Sequence, residues 1–339
     1  MQDIVKAAEG ISFNIEEWRY MLKAISNSLY ISSVEYLISE GLEFVETEYI
    51  HKHVSYVLSK MDPDGGFSGR ISGSDIYYTD FALRTLAACG WQGEQLSAVA
   101  SYVRGQEKRL TGIVDCFNFL NCVRMLDGWG ISISVDVELI LHQIETCRTS
   151  DFGFRKGLSD SSSIYAAFLA ALCFDMLGTE DQMLLSYMDS ITGLSGIDGG
   201  FPESEADAAS QLNSTAAAVS LIAYMKAGSP DDISRHLQYI AGAQKNDGGF
   251  VASGNISCGD LLSSFSAVAA LAFLGNLEMI NLRQITRFLK SVETPGGGFR
   301  ACLDDPEADV EYTYYGVGIL GILRTFLQDK RQILNRSPG

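Results

Sequence analysis

Proline is scarce: six in 339 residues, with Pro230, Pro295 and Pro306 near late segment boundaries. So little proline leaves helices uninterrupted and argues for a helical array. Long apolar runs are missing too. None reaches the roughly 18 residues of a membrane span, and residues 1–10 show no basic region followed by an apolar run, so no leader or span is expected. Basic residues are outnumbered, 25 against 42 acidic, for a net charge of −17. That balance argues against nucleic acid or an anionic membrane as partner. The seven cysteines are odd in number and form no Cys-x-x-Cys pair. They read as small buried apolar groups in a reducing compartment, which points to a cytoplasmic protein.

What the chain has is a repeat. Asp64-Gly-Gly-Phe67, Asp198-Gly-Gly-Phe201, Asp247-Gly-Gly-Phe250 and Gly297-Gly-Phe299 each precede an apolar helical segment, with a worn copy at Phe152-Gly-Phe154. Phe154, Phe201, Phe250 and Phe299 are spaced by 47, 49 and 49 residues. The 87 residues from Phe67 to Phe154 leave room for one more copy, with Gly112 as its remnant. Six units of roughly 40 to 50 residues result. Each pairs an amphipathic helix with one that is apolar nearly all round. The first series covers 48–61, 94–106, 134–148, 180–192, 231–244 and 281–292, and the second 75–89, 115–126, 160–177, 211–227, 260–274 and 309–327. An all-apolar helix must be buried, whereas a single apolar stripe marks an outer helix. The pattern predicts an all-α fold of six inner and six outer helices, an α6/α6 toroid if the repeat rotation closes. Residues 1–45 are expected to form an N-terminal helical extension, with helices at 15–25 and 33–38, and residues 46–339 the toroid with its C-terminal tail.

The Gln244-Lys-Asn-Asp-Gly-Gly-Phe250 stretch resembles the QxxxGGF repeat of protein prenyltransferase β subunits, and squalene and terpene cyclases carry a related repeat. The resemblance covers roughly residues 46–327. It implies a toroid with a deep aromatic cavity that opens where the inner helices begin, and an isoprenoid-handling enzyme as its function. It also implies zinc, held by an Asp-x-Cys pair on the fifth inner helix and a His on the sixth. Asp260 keeps the first position, but Leu262 stands for the Cys and Tyr312 for the His. Neither can replace a thiolate or an imidazole, so no zinc cofactor is expected. His51, His53, His142 and His236 all fall on outer segments. The loop 251–259, where the family binds diphosphate, has no Lys or Arg; Arg70, Arg155, Lys156 and Arg300 are the basic residues nearby. The cyclase Asp-x-Asp-Asp-Thr-Ala motif appears as Gln211-Leu-Asn213-Ser-Thr215-Ala216, without its acids.

The inner-helix starts, Asp75, Asp115, Asp160, Gln211, Asp260 and Asp309, would share one rim. Asp is also a favoured helix cap, so each residue admits a structural reading. Asp260 and Asp309 are the expected catalytic acids or polar anchors, with Asn213 and Tyr312 as orienting groups. Asp160 and Glu311 are further acids to test. Asp75, Tyr78, Asp160, Tyr165, Phe168, Phe265, Glu311 and Tyr315 are expected to line the substrate site, where ring faces would hold an isoprenoid and stabilise a cation. Tyr78, Tyr312 and Tyr315 are the preferred cavity aromatics. The alternatives are a non-catalytic toroid that binds a hydrophobic ligand or protein, and a β-like subunit needing a helical α partner.

Overall fold

The computed structural model describes residues 30–157, 160–179, 182–225 and 230–336. The helix expected at 15–25 lies outside them. Thirteen helices occur among the described residues. A leading helix α1 (Tyr30–Leu42) is followed by six outer–inner pairs. The outer helices are α2 (Thr47–Leu58), α4 (Leu96–Arg104), α6 (Val137–Glu145), α8 (Gln182–Gly193), α10 (Pro230–Gly242) and α12 (Leu282–Val292). The inner ones are α3 (Ile76–Ala88), α5 (Ile113–Gly128), α7 (Ile164–Met176), α9 (Leu212–Tyr224), α11 (Leu261–Phe273) and α13 (Val310–Arg336). Each inner helix packs beside the next, and α13 returns to α3, so the ring is closed.

The repeat loop explains its own sequence. The Asp of Asp-Gly-Gly-Phe accepts from the N–H of the second glycine, at 3.1 Å for Asp64, 3.0 Å for Asp198 and 3.0 Å for Asp247. The same carboxylates accept a second donor just before the next inner helix, such as the Ser210 hydroxyl at 2.9 Å or the Gly259 N–H at 2.8 Å. The first glycine needs a positive φ and lies against the following repeat. A Cβ on Gly248 (φ 97°) would stand 2.0 Å from the Gln284 carbonyl oxygen of α12. Each Phe is fully buried. Its N–H finds a Ser or Thr in the first turn of the inner helix: Thr79 at 3.0 Å, Thr215 at 2.8 Å, Ser264 at 3.0 Å and Thr313 at 3.2 Å. That hydroxyl in turn donates to the carbonyl of the helix cap, four residues back.

Closure uses the same joint. Gly297 lies against Lys52 of α2, where a Cβ would meet the carbonyl oxygen at 2.2 Å. The Gly298 N–H donates to His53 Nδ1 at 3.0 Å, and the His53 ring stacks on Phe299. A two-stranded ladder, β1 (Phe299–Arg300) with β2 (Ala308–Asp309), widens in the last repeat the bridge that Phe67, Phe201 and Phe250 make to Asp75, Gln211 and Asp260. Arg70 reaches from the first repeat to Asp305 in the last.

The α1 helix closes one end of the ring. Leu37 and Ile38 are fully buried, and the Thr325 hydroxyl donates to the Leu37 carbonyl at 2.6 Å. Gly321 lets the backbones meet: a Cβ there would lie 2.4 Å from the Ile38 carbonyl oxygen. The helix expected at 33–38 is therefore longer and packs within the ring, against α13, α3 and α11.

Candidate active site

Six inner helices run parallel around a cavity of ≈ 680 Å³. The face each presents follows from helix geometry. Tyr77, Val114, Tyr165, Asn213, Leu262 and Glu311 line the cavity, each two residues after its cap at Asp75, Gly112, Ser163, Gln211, Asp260 or Asp309. One turn deeper come Phe81, Phe117, Asn118, Phe168, Phe265, Tyr314 and Tyr315. Another turn down lie Arg84, Leu172 and Ala269, with Tyr30, Ile31 and Val34 of α1 also facing the space. These positions are the i, i+3, i+4, i+7 stripe of each helix.

This frame sorts the expected site residues. Asn213, Tyr165, Phe168, Phe265, Glu311 and Tyr315 line the cavity; Asp260, Asp309, Tyr312, Asp75, Tyr78 and Asp160 are not in its lining. The second group precedes or flanks the stripe. Asp75 caps α3 through the Tyr77 N–H at 2.8 Å. Asp260 caps α11, taking the Ser263 N–H at 2.7 Å and the Ser263 hydroxyl at 2.8 Å. Asp309 accepts from the Glu311 N–H at 2.9 Å and faces Arg70 at 3.4 Å. Burial raises the proton affinity of both Asp260 and Asp309. Tyr78 lies next to Gly69, and the Arg70 guanidinium stands 5.8 Å over the Tyr312 ring. Both tyrosines sit one residue past the stripe, about 100° round the helix. Asp160 is fully exposed near Arg155, because α7 begins at Ser163, whose hydroxyl caps it through the Ala166 N–H at 3.0 Å.

Glu311 is the carboxyl set among the rings. The Tyr315 hydroxyl donates to its Oε1 at 3.1 Å, and Tyr77 also hydrogen-bonds it. Burial pushes its pKa above the ordinary glutamate value. The Tyr77 and Tyr315 phenols are pushed up by burial and by the adjoining Glu311, so they remain donors. Phe265 packs on Tyr314 and Tyr315, with centroids 5.2 and 5.1 Å apart.

Glu203, Arg84 and Asn118 are among the lining residues that escaped the sequence reading. Glu203 accepts hydroxyl hydrogens from Ser163 and Ser214, joining the third and fourth repeats. Arg84 lies in the third turn of α3, ion-paired to Asp80 at 2.5 Å and 5.1 to 5.4 Å over the rings of Phe81, Phe117 and Tyr314. Asn118, on α5, lines the cavity as well. Only the i, i+7 relation of Tyr77 to Arg84 signalled that a charge deep in an apolar helix would face the centre. Lys156 also lines the mouth, 5.0 Å over Tyr165.

The prenyltransferase α-α toroid domain matches residues 25–105, 100–256 and 218–336. The chain belongs to this family. The toroid is similar to the protein geranylgeranyltransferase-I of Candida albicans complexed with GGPP, at 14% identity and a TM-score of 0.63 over 85% of this chain and 98% of that one. It is also similar to a variant of the type II terpene cyclase MstE from Scytonema in complex with geranylgeranyl dihydroxybenzoate, at 12% identity and a TM-score of 0.56 over 86% and 99%. A protein from Actinoplanes aligns at 14% identity and a TM-score of 0.55, over 82% and 98%. No curated protein sequence matches the chain. At such identities the likeness concerns the fold. The zinc chemistry of prenyltransferase toroids does not fit these side chains: both Asp260 oxygens are engaged by Ser263, Leu262 fills the cavity position and Tyr312 lies beside Arg70. Among the described residues no three His, Cys, Asp or Glu side chains converge as a metal set.

Proposed function

We propose that the cavity holds an isoprenoid or terpenoid chain and that Glu311 acts on it as a general acid. The observation that carries this reading is Glu311 itself, a half-buried carboxyl of raised proton affinity in an aromatic cavity of ≈ 680 Å³. Apolar walls favour a hydrocarbon chain over water, and ring faces stabilise the cation that protonation creates. The GGPP and geranylgeranyl dihydroxybenzoate ligands of the two structural neighbours support the same class of substrate. A raised pKa keeps the proton on Glu311 nearer neutral pH but makes it a weaker acid, which suits an epoxide or allylic substrate rather than a plain alkene. In the protonation step Glu311 gives its proton to an epoxide oxygen, whose C–O bond then breaks, or to an allylic π bond, whose electron pair forms the new C–H bond; a carbocation is left on the chain, and Tyr77 and Tyr315 stabilise the carboxylate left behind. Asp260 and Asp309 then serve as caps that aim positions 262 and 311 at the substrate, a narrower role than catalysis.

The test is incubation with isoprenoid diphosphates, squalene and its epoxide, with product detection by mass spectrometry. Wild type is expected to convert an epoxide or allylic member. Glu311→Gln should lose on the order of 10²- to 10⁴-fold in rate while still binding substrate, the range for a general acid. Unchanged turnover in that variant would remove Glu311 from the chemistry. Tight binding without conversion of any member would instead favour the non-catalytic binder.

A further inference from the structure

Consecutive repeats meet in a fixed register on the rim. The Ile164 N–H donates to the Glu203 carbonyl at 3.0 Å, Leu212 to Ala252 at 2.8 Å and Leu261 to Ala301 at 2.8 Å. Each bond joins the first residue of an inner helix to the second residue after the Phe of the next repeat. It brings the residue two before a cap towards the residue three after that Phe. At the closing joint these are Glu307 and Arg70, and the Arg70 guanidinium donates to the Glu307 carbonyl at 3.2 Å. Between the fifth and sixth repeats they are Cys258 and Cys302. The Cys302 side chain hydrogen-bonds the Cys258 thiol. The corresponding pairs after the third and fourth repeats, Ser161 with Ser204 and Ala209 with Ser253, contain no cysteine. Both cysteine segments are held in place: the Gly259 N–H donates to Asp247 at 2.8 Å and the Ala301 N–H to Asp305 at 3.0 Å. Cys258 and Cys302 also depart from the expectation of buried apolar groups. Both are unbridged and half-buried, whereas Cys116, Cys122, Cys147 and Cys173 are buried, and burial pushes the Cys89 thiol up to about 12. Access to solvent and a second sulfur within reach are what an oxidation site needs.

We propose that Cys258 and Cys302 are a modification site, a thiol pair that a peroxide closes to a disulfide across the joint between the fifth and sixth repeats. The inference is independent of what the cavity holds. Burial, then the adjoining Cys302 and the carboxylates of Asp304 and Asp247, push the Cys258 thiol up, so it keeps its proton and acts second. The Cys302 thiolate attacks one peroxide oxygen, the O–O bond breaks, and a sulfenic acid forms as hydroxide leaves. The Cys258 sulfur then gives up its proton and attacks the Cys302 sulfur, whose S–O bond breaks with loss of a second hydroxide. The two thiol protons neutralise the two hydroxides. The thiols have lost two electrons and the peroxide has become two waters. The bond ties the start of α11, which carries Leu262 into the cavity, to the loop that leads into α13 and Glu311. A thiol reductant reverses it.

The experiment treats the reduced full-length chain with hydrogen peroxide, in the presence and absence of dimedone to trap sulfenic acid, and maps the products by non-reducing proteolysis and mass spectrometry. Wild type should give an intramolecular peptide pair joined through Cys258 and Cys302 as its dominant cross-link, and dithiothreitol should release it. Cys258→Ser should give no such link and should accumulate dimedone-trapped Cys302 well above the wild-type level, because the resolving thiol is gone. Near-ultraviolet circular dichroism checks that the variant keeps native packing. The bond restricts the unfolded chain, so oxidised wild type should melt several degrees above the reduced protein, and the rise should be missing in Cys258→Ser. Equal trapping of Cys302 in wild type and variant means that the two sulfurs do not meet, and overturns the proposal. A dominant link elsewhere, among Cys116, Cys147 and Cys173 or between two chains, overturns it too. So does a Cys258–Cys302 link that leaves the melting temperature unchanged or lowers it, since the bond then does not fit the native joint.

Discussion

At the residue scale, position within a turn decides role. Asp309 and Glu311 are two residues apart, yet one caps β2 to α13 and the other faces the cavity. Burial raises the pKa of Glu311 above its ordinary 4.5, so its charged form costs more in the folded than in the unfolded state. Below the unfolded value both states are protonated and no penalty exists. Stability is lost as pH rises through the raised folded value. Glu311→Gln should therefore be more stable than wild type on the neutral side and equal to it in acid, measured by denaturant melts across pH. Wild-type turnover should fall over the same window as the acid loses its proton. Glycine gives a second residue-scale prediction. Gly248→Ala places a Cβ against the Gln284 backbone at φ 97° and should cost about 1–3 kcal/mol or more. Gly254→Ala meets nothing within 4 Å and should stay within about 0.5 kcal/mol, denaturant melts of both variants checking the contrast.

At the element scale, four of the six inner helices are registered by one hydroxyl. Ser264 accepts the Phe250 N–H at 3.0 Å and donates to the Asp260 carbonyl at 2.6 Å. This joins the buried loop Phe to the helix that supplies Leu262 and Phe265 to the cavity. Ser264→Ala strands a buried backbone N–H, at a cost of about 1–3 kcal/mol. Ser264→Thr, the residue type used at Thr79, Thr215 and Thr313, should retain wild-type stability. Chemical denaturation separates the two. In the third repeat Ala167 occupies the place of that hydroxyl; α7 keeps the Ser163 N–H bond to the Phe154 carbonyl at 2.8 Å, the counterpart of those Asp75, Gln211 and Asp260 make, and its Ser163 hydroxyl donates to Glu203.

At the scale of the whole molecule, closure depends on His53. Its Nδ1 accepts from Gly298, which requires that nitrogen to be unprotonated, while Nε2 faces Glu293 at 3.3 Å. Burial lowers the His53 pKa below 6.5 despite that carboxylate. A lowered pKa means stability that is complete above the unfolded value and lost as pH falls through the folded one. Burial pushes the Glu293 carboxyl up, but His53 and Lys52 outweigh it and hold it below 4.5, so its own loss begins at more acidic pH. Hydrogen exchange in α2 and in the loop at Gly298 should quicken as pH falls below 6.5, after correction for intrinsic rates. His53→Gln, whose amide oxygen can accept from Gly298, should remove that dependence.

The sequence by itself determined an array of six helix pairs, and the contact of α13 with α3 decided that it closes into a toroid. Six repeated units and two kinds of helix leave few ways to bury the all-apolar series, and the first glycine of each Asp-Gly-Gly-Phe loop is dictated by its positive φ. It also made Glu311, Tyr165, Phe168, Phe265, Tyr315 and Asn213 visible as lining candidates, because they lie early in inner helices. What it did not distinguish was a cap from a wall. Asp75, Asp260 and Asp309 have the same composition signature in either role, and Tyr78 and Tyr312 differ from Tyr77 and Glu311 by a single residue of register. That register was set by where each helix starts, which in α7 was Ser163 rather than Asp160. Arg84, Asn118 and Glu203 were decided only by tertiary structure. Arg84 stands over the Phe117 and Tyr314 rings, and Glu203 accepts from Ser163 and Ser214, all from other elements, and no local pattern records which distant side chains the closed ring brings together.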